Sequence, residues 1–210
     1  MTYPTPSRRV GVRSMPVQDA GKRALDLLIA GIGGALTAPV VALLALAIRL
    51  ESPGHPIYRQ ARAGKDGREF SIYKLRTMVR GAEFTGAGLA IQEGDDRITR
   101  VGAFLRRYSL DELPNLWNVL RGDMSIVGPR PTLPVQVQQY TERQRGRLAV
   151  KPGITGWAQV NGLRGEIDTD DKLRERVDHD LYYIDNWSML LDMKILFYTV
   201  FSRRAYRNAV

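Results

Sequence analysis

Ser109-Leu110-Asp111-Glu112-Leu113-Pro114 sets two adjacent carboxylates just ahead of a proline, with Arg106 and Arg107 shortly upstream. An ionised aspartate, guanidinium groups and a hard cation such as Mg²⁺ are what attack on a phosphate needs. The carboxylate supplies the nucleophile, while the cations neutralise the phosphoryl oxygens. Ser109 followed three residues later by Glu112 also fits a capping box, in which the pair only starts a helix. Pro114 complicates that reading, because proline prefers the first helical position and would here be the fifth. On either reading Asp111 falls at or just before a helix N-terminus, where the helix dipole favours its charged form.

Gly128-Pro129-Arg130-Pro131 is a rigid arginine. Both prolines fix φ and restrict the residue before them, so the guanidinium is pre-set for a diphosphate or a base edge. The same tripeptide also makes ordinary surface turns. Lys151 to Gly162 is turn-rich and carries Trp157, Gln159 and Asn161. It suits either the wall of a pocket or a structural loop.

These groups need elements to hold them. Gly64-Lys65-Asp66-Gly67 is a strong turn signal between residues 57–63 and 68–76, which predicts a β-hairpin. Period-two alternation puts Phe70, Ile72, Lys74 and Arg76 on one face, leading from a core to an anion pocket or simply to water. The pattern predicts helices over 98–107, with Val101, Phe104 and Leu105 inward, and over 113–120, ending at Arg121-Gly122. Residues 135–149 are helical in character, and 79–96 read as a loop. Trp187 to Phe201, followed by Arg203, Arg204 and Arg207, suits an amphipathic helix in a membrane interface or a docked terminal helix.

Residues 24–48 form an almost uncharged apolar run, interrupted by Pro39. As one helix it would extend about 37 Å, beyond the roughly 30 Å of a bilayer's hydrocarbon core. Pro39 deprives the Ala35 carbonyl of its usual donor, and in lipid that group must be satisfied from within, for instance near Thr37. Basic residues flank the run on both sides, so a spanning helix would export one basic flank against the positive-inside tendency. A helix that enters, bends at Ala38-Pro39 and leaves on the same side avoids this conflict and is favoured over a kinked single span. Ala45-Leu46-Ala47 imitates a signal-peptide cleavage site, but the run is too long for one.

Composition narrows the field. The 210 residues carry 31 Lys plus Arg against 22 Asp plus Glu, no cysteine and two histidines. Disulfides and thiolate metal sites are excluded, and any metal would be a hard, oxygen-bound ion. The charge suits anionic partners such as lipid headgroups, phosphate-bearing substrates or nucleic acid. The organisation expected is a basic tail over 1–21, a re-entrant membrane helix over 22–50 and one cytoplasmic domain over 51–210.

Taken together, these segments resemble the bacterial sugar transferases, the monotopic phosphoglycosyltransferases, in their minimal catalytic form. The likeness runs through Lys22-Arg23-Ala24-Leu25-Asp26, the proline-broken run, residues 72–78, 96–102, 109–114, 122–131 and 152–162, and Asp180 to Tyr183. It implies an α+β, mainly helical fold: a re-entrant helix-break-helix, one small domain with a β-hairpin, and interfacial helices at the bacterial inner membrane, facing the cytoplasm. It implies transfer of a sugar 1-phosphate from a UDP-sugar to polyprenyl phosphate, releasing UMP through a phosphosugar-aspartyl intermediate. By position, Asp111 matches the nucleophile and Glu112 its partner, with Arg106 and Lys74 as active-site cations. Pro129, Arg130, Pro131, Gln159 and Arg107 match substrate-binding positions, and Mg²⁺ would sit at Asp111 and Glu112. Where the family often has Ser-Pro at the helix break, this chain has Ala38-Pro39. No nucleic-acid partner is expected, and the oligomeric state stays open, a homodimer included. The alternatives are a membrane-anchored nucleic-acid-binding protein, though no such motif appears, and a non-catalytic membrane scaffold.

Overall fold

The apolar run folds as part of one long helix. In the computed structural model, which describes residues 16–85, 94–165 and 169–202, helix α1 spans Pro16–Glu51, 36 residues, or about 54 Å. Residues 16–21, counted in the expected tail, belong to this helix, whereas the rest of the tail and the closing arginines lie outside the described residues. Ala38-Pro39 lies within continuous helix. Thr37 donates its hydroxyl to the Gly33 carbonyl at 2.7 Å, a back-bond of the kind that bends helices. The carbonyl it serves is that of Gly33, two residues before the one Pro39 deprives.

One stripe of α1 faces the rest of the protein. Lys22 donates to the Val127 carbonyl and pairs with Asp192 at 2.7 Å. Arg23 donates to the Val119 and Leu120 carbonyls at 2.6 and 2.9 Å, satisfying a helix C-terminus that would otherwise end in orphan acceptors. Asp26 accepts from the Ser125 hydroxyl and the Ile126 amide. Ala30 and Ile48 are buried on the same side, while Leu28, Ile32, Leu36, Leu43, Leu46 and Leu50 point outward.

The hairpin forms as its turn predicts. Strands β1 (Ile57–Ala63) and β2 (Glu69–Leu75) pair antiparallel from Ile57↔Leu75 to Ala63↔Glu69. Ile72 enters the main core with Val119, Met124, Ile126, Tyr183 and Ile195. Leu75 enters a smaller core with Ile48 and Leu105. Helix α2 (Arg100–Arg107) is capped by Thr99, and the Glu51 carboxylate accepts from the Arg100 and Val101 amides. A Cβ on Gly102 would lie 1.9 Å from the Thr77 carbonyl oxygen, so only glycine lets α2 press onto the chain after β2. Leu105 points inward as predicted, but Phe104 is exposed and packs on Tyr108, because Gly102 and Leu105 already define the buried stripe.

Helix α3 (Asn115–Arg121) ends at a left-handed Gly122, as predicted. Beyond it, β3 (Ser125–Val127) pairs parallel with β4 (Gly153–Thr155). The stretch 135–149 is helical only in pieces: α4 (Pro134–Gln138), then α5 (Glu142–Arg145) restarted by a Thr141–Gln144 capping box. Short α6 (Trp157–Val160) precedes α7 (Asp170–Asp185) and α8 (Met189–Phe201). Helix α8 docks through Asp192 and Ile195, while Leu190, Met193, Phe197, Val200 and Phe201 form an exposed apolar face.

Candidate active site

Between the hairpin, α2, the Pro129–Pro131 turn and α7 lies a cavity of about 770 Å³. Eight Lys or Arg side chains and three carboxylates line it, so it is built for an anion.

The carboxylates enter from a tight turn. Residues Leu110–Glu112 form a single 3₁₀ turn, and Ser109 before it adopts φ 55°. A non-glycine residue in the left-handed region carries strain that surrounding structure must impose. The Ser109 hydroxyl makes no capping bond, so the capping-box reading does not hold. The cause is Pro114, which occupies the N-cap of α3 and places the helix start beyond the carboxylates.

The two acids differ sharply. Glu112 is buried and accepts from Lys74 at 2.9 Å, Arg130 at 3.0 Å and Arg164 at 3.4 Å. Burial opposes its charge, but Arg130, Lys74 and Arg164 together hold its carboxyl well below the usual range. Its contribution to stability is therefore present above the unfolded carboxyl's pKa and lost as pH falls through the lowered one. Among the described residues, Lys74 at 3.6 Å is the one cation within salt-bridge distance of Asp111, with Arg106 and Arg130 acting from farther off. Burial raises the Asp111 carboxyl above its ordinary value, with Lys74 opposing and Glu112 reinforcing the shift. Ionising it thus costs stability as pH rises past the normal carboxyl range.

Arg106 reaches the cavity, its Nε bonded to the Thr77 hydroxyl at 2.8 Å. Burial lowers its pKa despite Asp111. Arg76 lines the cavity too, but its guanidinium is held by the Ser52 and Pro53 carbonyls, so it fastens the end of α1. The Pro-Arg-Pro turn is tied along its length. The Gly153 amide donates to the Pro129 carbonyl at 2.9 Å, Arg147 donates to the Arg130 carbonyl at 3.3 Å, and the Ala63 amide donates to the Thr132 carbonyl at 2.9 Å. Arg147 is itself buried and paired with Asp180.

Of the residues singled out in the sequence, the cavity collects Lys74, Arg106, Asp111, Glu112, Arg130 and Pro131. Pro129 supports the turn from behind. Arg107 faces solvent over the Tyr108 ring, one position round the helix from Arg106. Gln159 is buried in α6 and donates to the Ile154 carbonyl. Neither lines the cavity. Arg62, Arg164 and Arg176 do, and the sequence reading missed them. Arg62 was findable, since Tyr58, Gln60 and Arg62 lie opposite Lys74, Ile72 and Phe70 on the same face of the hairpin.

Among the described residues no three His, Asp or Glu side chains converge into a ready metal cage. Mg²⁺ binds through one or two carboxylates and completes its shell with water and substrate phosphates. Asp111, with little engaging its oxygens, fits that role. Glu112, already bonded to three cations, does not.

A family model described as bacterial sugar transferase matches residues 17–204. An Escherichia coli UDP-glucose:undecaprenyl-phosphate glucose-1-phosphate transferase is 49% identical over 183 residues, covering 86% of this chain and 39% of that protein. A Caulobacter vibrioides protein of the same name is 48% identical, covering 91% of this chain and 72% of the relative. A UDP-N-acetylgalactosamine-undecaprenyl-phosphate N-acetylgalactosaminephosphotransferase of Aeromonas hydrophila is 44% identical over 88% of this chain and 44% of its own length. The chain thus spans about two fifths of the first of these relatives.

Proposed function

The chain belongs to the bacterial sugar transferase family, and from that premise we propose that it moves a sugar 1-phosphate from a UDP-sugar onto undecaprenyl phosphate. The observation that carries this is Asp111: a carboxylate with one cation at 3.6 Å, facing a strongly cationic cavity large enough for a nucleotide sugar. One Asp111 oxygen attacks the sugar-bearing phosphorus. The bond from that phosphorus to the bridging oxygen breaks, and UMP departs with the electron pair. The lipid phosphate then attacks the same phosphorus and regenerates Asp111. Lys74 and Arg106 offset charge on the transferred phosphoryl oxygens, while Glu112 holds Lys74, Arg130 and Arg164 in place. Mg²⁺, held by Asp111, would supply further neutralisation of the diphosphate. Glucose is the first sugar to try, with N-acetylgalactosamine second, following the relatives. The test is incubation of the pure chain with UDP-glucose alone. A phosphohexose adduct on Asp111 with stoichiometric UMP supports the reading; no adduct, with kinetics requiring both substrates bound together, sinks it.

The membrane arrangement is part of the proposal. Both ends of α1 are fastened to one body, through Lys22, Arg23 and Asp26 at the start and Ile48 and Glu51 at the end. A spanning helix would require that body to reach across about 30 Å of hydrocarbon. The outward leucines of α1 and the apolar face of α8 are too extensive for a water-exposed surface. Phe104, Tyr108 and Trp117, exposed on the helices packed against α1, suit the headgroup layer. This reading has α1 entering and leaving a bacterial inner membrane on the cytoplasmic side. The chain has no cysteine, so Ala20→Cys and His55→Cys give clean labels. Both are expected to react with an impermeant thiol reagent from the cytoplasmic side; labelling from opposite sides would restore a spanning helix.

A further inference from the structure

Beyond Asp111 the cavity holds a second group of cations, of which only Arg130 is paired with an acid, Glu112 at 3.0 Å. Arg62 of β1 and Arg176 of α7 line it together with Arg130. Arg62 donates to the Gln60 amide oxygen at 2.5 Å and to the Pro131 carbonyl at 3.4 Å. Arg176 donates to the Gly165 carbonyl. Among the described residues neither forms an ion pair, and the Nε of each is buried without a partner. Arg176 is only 8% exposed. Burial and the nearby charge of Arg130 pull both guanidinium groups down to about 10. Buried like charges held unpaired are costly, and the cost is removed when an anion joins them.

The place of the cluster says which anion. The cavity runs along the β1–β2 ladder. Gly54, His55, Arg76 and Arg80 lie at the end beside the exit of α1, and Arg62 lies at the far end, next to the Ala63–Thr132 bridge. On the function proposed above, a lipid phosphate would approach from the α1 side. A soluble nucleotide has the other end to itself.

Resting on the function proposed above, we propose that Arg62 and Arg176, with Arg130, form the seat for the phosphate that leaves as part of UMP. When the Asp111–phosphorus bond forms and the bridging P–O bond breaks, the bridging oxygen keeps the electron pair. The departing phosphate thereby gains a negative charge, and no proton is needed. Planar, fork-shaped donors hold such an oxyanion bidentately.

The test uses the full chain in nanodiscs, with UMP, uridine and polyprenyl phosphate as probes. Arg62→Gln and Arg176→Gln are each expected to weaken UMP binding about tenfold or more, the scale of a lost charge-assisted bond. Uridine binding should stay unchanged, and the KM for polyprenyl phosphate should stay within about twofold. Arg62→Lys should recover part of the UMP affinity. Arg62 sits half-buried at a strand edge, so it carries the test if Arg176→Gln lowers the unfolding midpoint. Unchanged UMP affinity in Arg62→Gln, or a raised KM for the lipid alone, overturns the seat while transfer by the wild type leaves the function standing. A wild-type chain that neither transfers nor binds UMP overturns both.

Discussion

Asp111→Asn is expected to cut transferase turnover by at least about 10³-fold while leaving the protein folded and as stable as before, or slightly more so. The two halves of that expectation come from the same geometry. Burial makes ionising Asp111 costlier than in water, and Lys74 at 3.6 Å compensates only in part. A neutral amide of the same shape removes that burden, yet it cannot form the bond to phosphorus. Glu112→Gln behaves in the opposite way on stability, because Lys74, Arg130 and Arg164 would lose the carboxylate they share. Activity by donor-alone UMP release and the unfolding midpoint, measured on both variants, separate the roles. Lys74→Gln adds a pH test. Lys74 favours the charged form of Asp111, so its loss moves the acid limb of adduct formation to higher pH. A limb that stays put would mean that Asp111 is not the titrating group.

Legibility from sequence followed the range of the interactions. The hairpin was readable because Gly64 to Gly67 announce its turn and its alternation is local. Helix α3 was readable to its last residue through Gly122. The acidic pair at the cavity was readable because Asp111 and Glu112 sit together near arginines. What was not readable depends on distant pairing. β3 and β4 are three residues each and meet across the whole segment that holds α4 and α5. Helix α7 hides its buried stripe, because Arg176 and Asp180 stand where an apolar pattern would be sought. They are inside because each has work there, Asp180 pairing with Arg147 behind the Pro-Arg-Pro turn. Residues 79–96, read as a loop, lie only partly within the described residues. Lys22, Arg23 and Asp26, read as family markers, proved to be the clamp that fixes α1 to the domain.

Asp192→Leu is expected to destabilise the protein by about 3–5 kcal/mol, the usual cost of breaking a buried ion pair by removing one partner. For a chain of this size that lowers the unfolding midpoint by on the order of 10 °C. Asp192 is fully buried and meets Lys22 at 2.7 Å, the Tyr183 hydroxyl at 2.8 Å and the Trp187 ring nitrogen at 3.2 Å. Without it the Lys22 ammonium keeps the Val127 carbonyl as its one hydrogen-bond acceptor among the described residues, and the Trp187 ring nitrogen loses the acceptor it has here. Replacing both charges, Lys22→Met with Asp192→Leu, should recover most of the loss, since a well-packed apolar pair often equals a buried salt bridge. The distinction bears on function, because this contact joins the first turns of α1 to α8 and so sets how the two apolar faces sit relative to each other. The single variant should therefore also lose vesicle binding near its lowered midpoint, and the double variant should regain it. A single variant within about 2 °C of the wild type would show that α8 is held by its apolar face alone.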